Sequence, residues 1–514
     1  MRRALVLCAA AVALAGCSLE PHYQRPEPLV PSTWPKGVPY TADTGAPLPS
    51  VSYQQVFRDP KLQGLIAASL QNNQNLEQAL ANIDIARAQY QVQRSDLFPH
   101  VNANAGASVG QSRASTALLG GTTGVTGNGS SPGTGTNAAG GSDGAAASTS
   151  TTVRRVTTRS YDLNIGFTSW QLDLFGRIRS LTHAARLQYL ASEAGASAVR
   201  LQLTGEVADA YFTLASDRTL LAIAQQTLAS AQRTLQLTDA RRAGGVAPRT
   251  DVNQAQTLVQ QTRGDVAQLT AQVAQDRNAL DLLVGRPTTE AELPDSIEAV
   301  DALIAETPAG MDSRILLRRP DVVQAEYRLR AANAQIGAAR AAFFPTISLT
   351  TLAGLASPQL SRLFSGDSFT WTASGAASES IFSGGANTGN LRLARGERRL
   401  AVAEYQSAIQ GAFRDVANAL ARRGTMEEQL AADIAAQAAA SDAFTLETAR
   451  FREGIDPYLN TLVTQRTLYQ AQQALATTRL TRAQNLVALY QSLGGDQLID
   501  DLPPPPPPKP GKSP

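Results

Sequence analysis

The sequence has few of the residues on which catalytic and metal-binding sites usually depend. Its 514 residues include only 2 cysteines and 3 histidines, and His22, His100 and His183 do not stand at a spacing typical of metal ligands. Neither a phosphate-binding loop nor a nucleophile-elbow pattern occurs. The sequence therefore predicts a protein that is not an enzyme and that uses no metal and no cofactor.

Aromatic residues are also scarce, at 5% of the chain, and charge is nearly balanced, with 45 basic and 43 acidic residues. The balance gives no electrostatic reason to expect nucleic-acid binding. The scarcity of aromatic residues argues against one large globular core and favours long, closely packed helices rich in alanine and leucine. Beyond the N-terminus, no apolar run approaches the ~18 to 20 residues of a transmembrane helix.

One of the two cysteines, Cys17, follows a segment typical of secretion signals. Two arginines precede an apolar stretch at 4–14, which is too short to span a bilayer. The four residues that end at Cys17, LAGC, resemble the bacterial lipobox, which implies cleavage after residue 16 and a covalent lipid such as palmitate on Cys17. Ser18 stands where an aspartate would resemble an inner-membrane retention signal, so outer-membrane delivery is favoured. The alternative is an ordinary signal peptide with an incidental cysteine.

The chain repeats itself once. Residues 75–89 match 321–335 at an offset of 246, and Gly245 matches Gly454 at an offset of 209. The difference, 246 − 209 = 37, means that the first copy holds about 37 extra residues, most of which the Gly/Ser/Thr-rich stretch at 120–152 supplies. The sequence is therefore an internal duplication with one long insertion in its first half.

Each copy predicts one helix, two strands and two long helices. Apolar residues alternate with polar ones in 101–109 and 161–168 of the first copy, and in 346–350 and 368–374 of the second. This period of two predicts strands with one apolar and one polar face. The apolar face could be the core of a soluble sheet or the lipid-facing side of a membrane barrel, and the lipobox and the surface loop favour the barrel.

Four strands are too few to close a transmembrane barrel, which needs at least about eight. An open sheet in lipid would leave backbone groups unpaired at its edges. The chain must therefore share strands with copies of itself. Two copies give 8 strands and three give 12, and the strand pattern alone does not choose between them.

The long helices carry a heptad pattern. Valine or leucine recurs every seven residues from Val252 to Leu280 and from Val207 to Leu235, which indicates coiled-coil packing. The segment from about 176 to 243 lacks proline and predicts one helix of roughly 100 Å. A coiled-coil stalk would fit these heptads, but Gly and Pro interrupt each copy in a way that predicts helical hairpins instead.

Several elements of the sequence together resemble a known protein family, and the resemblance covers nearly the whole mature chain. The sequence resembles the outer membrane factor family, the TolC-like and especially OprM/NodT-type lipoproteins of tripartite efflux pumps. The matching elements are FRDPKLQGLIAASLQNNQNL (57–76), WQLDLFGR (170–177), RRPDVVQAEYRLRAANAQIG (318–337), FFPTISL (343–349), IFSGG (381–385) and FREGIDPYLNTLVTQR (451–466).

The resemblance implies an α+β membrane protein: a homotrimer whose 12-stranded β-barrel, with 4 strands from each chain, continues into a long periplasmic α-helical coiled-coil tunnel. It implies a passive exit duct for drugs or other small toxic compounds. The partners would be outer-membrane lipid, a periplasmic adaptor (membrane fusion protein) and an inner-membrane transporter of the RND type. A duct for polypeptide export is the nearest alternative, and a trimeric anchor or adhesin is more remote.

The expected segments are a signal peptide (1–16), a Pro-rich extended segment (17–56), a first repeat (57–300) with a surface loop (116–159), a second repeat (301–500) and a disordered Pro-rich tail (501–514).

The resemblance also assigns roles at the two helical-hairpin turns, which the family places at the periplasmic tip. Gly245 and Gly454 match its turn glycines, with Val246 and Ile455 beside them, and this part of the tip meets the adaptor. The same glycines could serve only to end helices.

A second set of residues matches the family's periplasmic aperture, where inner helices close the tunnel. Val463 stands where an acidic residue is often found, Asn460 replaces another acid, and Phe451 lacks the hydroxyl that a tyrosine would offer. We therefore expect a more apolar constriction than in TolC-like proteins, unless these residues only pack between helices. The matching residues are Thr250, Asp251, Leu459, Asn460, Val463 and Arg466.

Overall fold

A computed structural model describes residues 18–38, 40, 52–116, 152–304 and 313–499. The predicted signal peptide, the lipidated cysteine and the Pro-rich tail lie outside the described residues. The described chain forms two compact units, one built from helices and one from strands.

The helical unit contains two pairs of long helices. In chain order the helices are α1 (Tyr53–Val56), α2 (Pro60–Asn72), α3 (Gln74–Ser95), α4 (Arg177–Ala243), α5 (Arg249–Val284), α6 (Ile297–Asp301), α7 (Pro320–Ala341), α8 (Ala386–Arg452) and α9 (Tyr458–Ser492).

The duplication predicted from the sequence recurs in the helix bounds. Helices α3 and α7 each have 22 residues and start 320 − 74 = 246 residues apart. Helices α4 and α8 each have 67 residues and start 386 − 177 = 209 residues apart. The two copies therefore form the same order of elements, and the prediction that 176–243 is a single helix is confirmed.

The heptad stripes form much of the helical core. Val207, Leu214 and Leu280 are completely buried, together with Tyr211 of α4 and Tyr490 of α9. A second cluster joins α7, α8 and the Pro-rich N-terminal segment. The heptad positions therefore pack helix against helix, as the pattern indicates.

The N-terminal segment lies in irregular conformation against α7 and α8. Asn333 donates a hydrogen bond to the carbonyl of Pro21 at 2.8 Å. The ring of Trp34 stacks on that of Phe413, with centroids 5.0 Å apart. These contacts order a segment that has no regular backbone hydrogen bonds of its own.

The second unit is a four-stranded antiparallel sheet. Its strands are β1 (Asn102–Thr116), β2 (Thr152–Leu172), β3 (Thr346–Ser357) and β4 (Phe369–Ser378), and they pair in the order β1-β2-β3-β4. Within the described residues, β1 and β4 each pair with one strand only. The sheet therefore has two edges with unpaired backbone groups.

Apolar side chains of the sheet form rows across the strands. Leu163 pairs with Ala105 on one side and Leu355 on the other, and Leu355 pairs with Phe369. A parallel row contains Ile165 and Trp371. Phe369 and Trp371 are 61% and 70% exposed in the chain. The predicted alternation is confirmed, and it produces an apolar face that the described residues leave exposed.

The strands are longer than the alternating segments that predicted them. Strand β2 begins at Thr152, inside the segment expected to be a surface loop (116–159), and it pairs with β1 as far as Thr116. The predicted loop therefore extends eight residues too far at its C-terminal end (152–159), whereas its N-terminal bound coincides with the last residue of β1. Pairing continues because backbone hydrogen bonds need no apolar side chains, and β-branched residues are common from 152 to 158. The rest of that segment lies outside the described residues.

A pair of acidic side chains on α4 and α5 predicts a pH dependence of stability. Burial, a hydrogen bond with Asp276 and its charge raise the pKa of Asp217 from 3.8 to about 7. The folded chain then binds more protons than the unfolded chain between these values, so the pair contributes less stability as pH rises from 4 to 7. We expect Asp217→Asn to raise the apparent melting temperature at pH 8 and leave it almost unchanged at pH 4. The control is Asp239→Asn, an exposed residue of α4, and equal shifts for both variants would contradict this prediction.

Candidate functional site

The two long-helix pairs turn back through nearly identical turns. After α4, Gly245 has a φ of +78°, and after α8, Gly454 has the same φ. Gly245 donates to the carbonyl of Arg242, and Val246 donates to that of Arg241, both at 2.9 Å. This bonding pattern is a Schellman motif, and it requires a left-handed residue that glycine adopts without strain.

The second turn repeats this geometry. Gly454 donates to the carbonyl of Phe451 at 3.1 Å, and Ile455 donates to that of Arg450 at 2.9 Å. In each turn the residue after the glycine is apolar and exposed, at 77% for Val246 and 62% for Ile455. The turns therefore hold two apolar side chains outward on a fixed backbone.

The hairpin ends pack on one another through aromatic rings and a guanidinium group. The ring of Phe451 lies 5.7 Å from that of Tyr458, and both side chains are buried. The guanidinium carbon of Arg241 lies 4.3 Å from the Phe451 ring centroid. Arg241 also donates to the carbonyl of Arg452 at 3.0 Å. The first turn is thereby joined to the second by a cation–π contact and a hydrogen bond.

An ion pair stabilises the second turn. Arg450, at the end of α8, binds the carboxylate of Asp456, which lies in the turn. The hydrogen bond from Arg450 holds the pKa of Asp456 below its usual value. The pair bridges the turn that presents Ile455, and its exposure to solvent limits its energy.

The residues predicted to form an aperture lie on one face of α9. Leu459, Val463 and Arg466 are spaced at i, i+4 and i+7, and all three are exposed, with Leu459 at 52% and Val463 at 54%. Asn460 is exposed beside them. The opposite face packs into the hairpin core through the buried side chains of Tyr458, Thr461, Leu462 and Gln465. Within one chain, therefore, the stripe does not pack between helices.

The polar pair Thr250 and Asp251 lies at the start of α5. Thr250 is exposed and Asp251 is partly buried, and their side chains approach to 3.5 Å. Burial raises the pKa of Tyr458 to about 12, and the charges of Arg466 and Asp251 act on it in opposite directions. The structure thus brings Asp251, Tyr458 and Arg466 into one electrostatic neighbourhood.

Sequence reasoning missed two contributors to this site, Arg241 and Tyr458. Arg241 belongs to an arginine pair typical of helix C-termini, and its contact with Phe451 joins residues 210 positions apart. Tyr458 stands at i, i+4 and i+7 with Leu462 and Gln465, and this helical spacing is the one sequence signal that could have predicted its burial. Cys17, the predicted lipidation site, lies outside the described residues.

The described residues contain no group of three or more His, Cys, Asp or Glu side chains placed to hold a metal ion. Among their helices, none combines the length and the apolar character that a membrane crossing requires.

Comparison with known proteins identifies the family. The model of the family described as outer membrane efflux protein matches residues 65–286 and 313–495. Two relatives from Pseudomonas putida, the antibiotic efflux pump outer membrane protein ArpC and the toluene efflux pump outer membrane protein TtgC, are each 40% identical over 493 residues, or 96% of this chain and 95% of theirs.

A solved structure agrees with these matches. The open state of the Neisseria gonorrhoeae MtrE outer membrane channel has 32% identity and a TM-score of 0.78, over 95% of this chain and 100% of that one. The predicted α+β fold class and outer-membrane location are thereby confirmed. The chain belongs to the outer membrane efflux protein family and is the outer-membrane channel component of an efflux pump.

Proposed function

We propose that three copies of this chain form one passive exit duct. The observation that carries the proposal is the four-stranded sheet, which has an exposed apolar face and two unpaired edges. Lipid accommodates such a face only if the edges are paired with other strands. Two or three copies would supply enough strands to close a barrel, and the resemblance to the outer membrane factor family selects three, which gives 12 strands. Compounds pass through without a chemical step, so the chain acts as a channel and not as an enzyme.

The compounds that we propose for this duct are small and largely apolar toxic molecules, including drugs and solvents. Relatives at 40% identity over 96% of the chain are named for antibiotic and toluene efflux. A periplasmic adaptor and an inner-membrane RND-type transporter would deliver these molecules. Export of polypeptides, the alternative function, draws no support from the names of these relatives.

The hairpin turns are the proposed contact with the adaptor. Gly245 and Gly454 fix the turns, and Val246 and Ile455 are exposed apolar side chains at equivalent positions. Two equivalent turns in each chain offer repeated apolar contacts on a rigid backbone. Such preorganised contacts cost little conformational entropy on binding. In this proposal, a lipid on Cys17 also anchors the chain to the outer membrane.

The exposed stripe on α9 is the proposed aperture. Leu459 and Val463 form its apolar part, with Asn460 and Arg466 beside them and Thr250 and Asp251 on α5. In a trimer, three apolar stripes around one axis would exclude water from a narrow passage. Hydrophobic constrictions close channels in this way, by dewetting.

Single-channel conductance tests this function. We expect the full-length protein in a planar lipid bilayer to conduct weakly, and Leu459→Ala/Val463→Ala to raise its conductance severalfold because the constriction widens and wets. The control is Ile434→Ala/Leu446→Ala, which removes two exposed apolar side chains from α8, outside the stripe on α9. If neither the wild type nor either variant conducts, the proposal of a duct is disproved. If both variants conduct alike, the duct remains and the aperture assignment is wrong.

A further inference from the structure

A cavity of about 540 Å³ lies between α7, α8 and the N-terminal segment. No acidic side chain lines it. Such a concentration of one charge costs free energy unless an anion or counter-ions neutralise it. We call this cavity the arginine pocket, and it is lined by Pro21, Ile336, Arg340, Arg392, Arg395, Arg398 and Arg399.

The arginines converge from two helices. Arg392, Arg395 and Arg399 are spaced at i, i+3 and i+7, so they lie on one face of α8. Arg340 comes from the last turn of α7. Like charges at these helical spacings repel one another. Their accumulation on one helix face therefore points to a ligand and not to helix stability.

The described residues offer the pocket little neutralisation. Arg398 has a buried Nε atom without a hydrogen-bond partner. Among the described residues, the ion pairs of α8 arginines involve Arg414 and Arg450, and none joins an arginine of the pocket to a carboxylate. Glu20 is the nearby acid of the N-terminal segment, but its carboxylate pairs with Nδ1 of His183 at 3.1 Å. The four guanidinium groups that α8 contributes to the pocket are therefore available to an external anion.

The N-terminal segment places the pocket close to the predicted lipid anchor. Arg340 donates a hydrogen bond to the carbonyl of Leu19 at 3.1 Å, and Pro21 lines the pocket. Leu19 is two residues from Cys17, a separation of at most about 7 Å along the chain. A lipid on Cys17 therefore brings the membrane surface to this part of the helical unit.

We propose that the arginine pocket binds the phosphate headgroup of an anionic glycerophospholipid. Planar guanidinium groups bind phosphate oxygens in a bidentate manner, and several of them around one phosphate give both affinity and orientation. The choice of a lipid over a free phosphate rests on the proposed lipidation of Cys17. The bound headgroup fixes α7 and α8 at the membrane surface, in addition to the covalent anchor.

Native mass spectrometry of the full-length, delipidated protein tests the site. The probes are phosphatidylglycerol, zwitterionic phosphatidylcholine and inorganic phosphate. We expect the wild type to retain phosphatidylglycerol in preference to phosphatidylcholine. Arg392→Gln/Arg395→Gln/Arg399→Gln should bind phosphatidylglycerol at least about tenfold more weakly, because the variant loses three of the guanidinium groups that bind phosphate oxygens.

The matched control removes the same charge from the same helix outside the pocket. Arg414→Gln/Arg422→Gln/Arg423→Gln should retain phosphatidylglycerol as the wild type does. Equal losses in the two triple variants, or equal binding of both lipids by the wild type, would overturn the proposal. Displacement of phosphatidylglycerol by inorganic phosphate would identify a free-anion site and overturn the lipid assignment.

The same spectra separate this proposal from the proposed function. They report the number of chains and the mass of any lipid on Cys17 independently of added phospholipid. Loss of the trimer in the pocket variant, with phosphatidylglycerol retained on each chain, would mean that the arginines pair between chains and would also overturn the proposal. A trimer with selective, pocket-dependent binding supports both.

Discussion

Replacing Glu326 by alanine is expected to destabilise the helical unit by about 3–5 kcal/mol, because it leaves buried cations without their acceptor. The Glu326 side chain is completely buried in α7. Its carboxylate oxygen Oε1 accepts hydrogen bonds from Arg25 at 3.0 Å and from Arg330 at 2.7 Å. Tyr23 donates to the same oxygen at 3.3 Å.

The surroundings explain why the loss is large. The two arginine side chains are only 17% and 19% exposed, so water replaces the carboxylate poorly. The guanidinium of Arg330 also lies 4.9 Å from the Tyr23 ring centroid. Burial, followed by the charge of Glu326, raises the pKa of Tyr23 to about 12. The cluster therefore fastens the N-terminal segment to α7 as well as stabilising the helix.

Two measurements check this prediction. Thermal unfolding in detergent should show a marked loss of stability, and hydrogen–deuterium exchange should accelerate over residues 18–38. The control is Asp415→Ala, which removes a carboxylate from an ion pair whose Arg414 side chain is 71% exposed and should cost at most about 1 kcal/mol. Similar losses in the two variants, or unchanged exchange in Glu326→Ala, would contradict it.

Local signals explain most of what the sequence predicted correctly. The hairpin turns follow from a glycine and a proline that interrupt long heptad patterns, and in the structure Gly245 and Gly454 adopt the left-handed conformation. The strands follow from alternation, although their ends do not, because pairing extends through Thr-rich segments such as 152–158. Period and turn chemistry are encoded within a few residues.

Contacts between distant segments were not predictable in this way. Arg25 and Glu326 are 301 positions apart, and each by itself looks like an ordinary surface charge. The same holds for the arginines of α8, whose spacing was visible but whose common cavity with Arg340 depends on helix packing. The aperture residues were predictable only in part. The helical period of the sequence distinguishes the exposed face of α9 from the buried one, but only the resemblance indicates what the exposed face does.

Gly354 is a further position whose importance no local pattern reveals, and its replacement by alanine should severely damage the sheet. Gly354 lies in the central strand β3, opposite Asn164 of β2 and Thr370 of β4. A Cβ atom there would lie 2.1 Å from the carbonyl oxygen of Leu163 and 2.6 Å from the Cα of Asn164. Both atoms belong to backbone, so β2 and β3 would have to separate.

We expect Gly354→Ala to lower the free energy of unfolding by about 3 kcal/mol or more. Separating β2 from β3 breaks backbone hydrogen bonds of β3, the strand that β2 and β4 both pair with. The amount of folded protein in the outer-membrane fraction and its apparent melting temperature should both fall. The matched control is Gly110→Ala in β1, where an added Cβ meets nothing within 4 Å. That variant should behave as the wild type does.

The double variant Asn164→Gly/Gly354→Ala distinguishes a backbone clash from a side-chain clash. Removing the Asn164 side chain eliminates its Cβ contact at 2.8 Å but leaves the Leu163 carbonyl at 2.1 Å. We therefore expect no recovery of folded protein in the double variant. Recovery would show that the strands tolerate a Cβ and that the side chain alone causes the conflict. Persistent loss means that close backbone approach between β2 and β3 is a requirement for the sheet, and hence for any channel that these strands form.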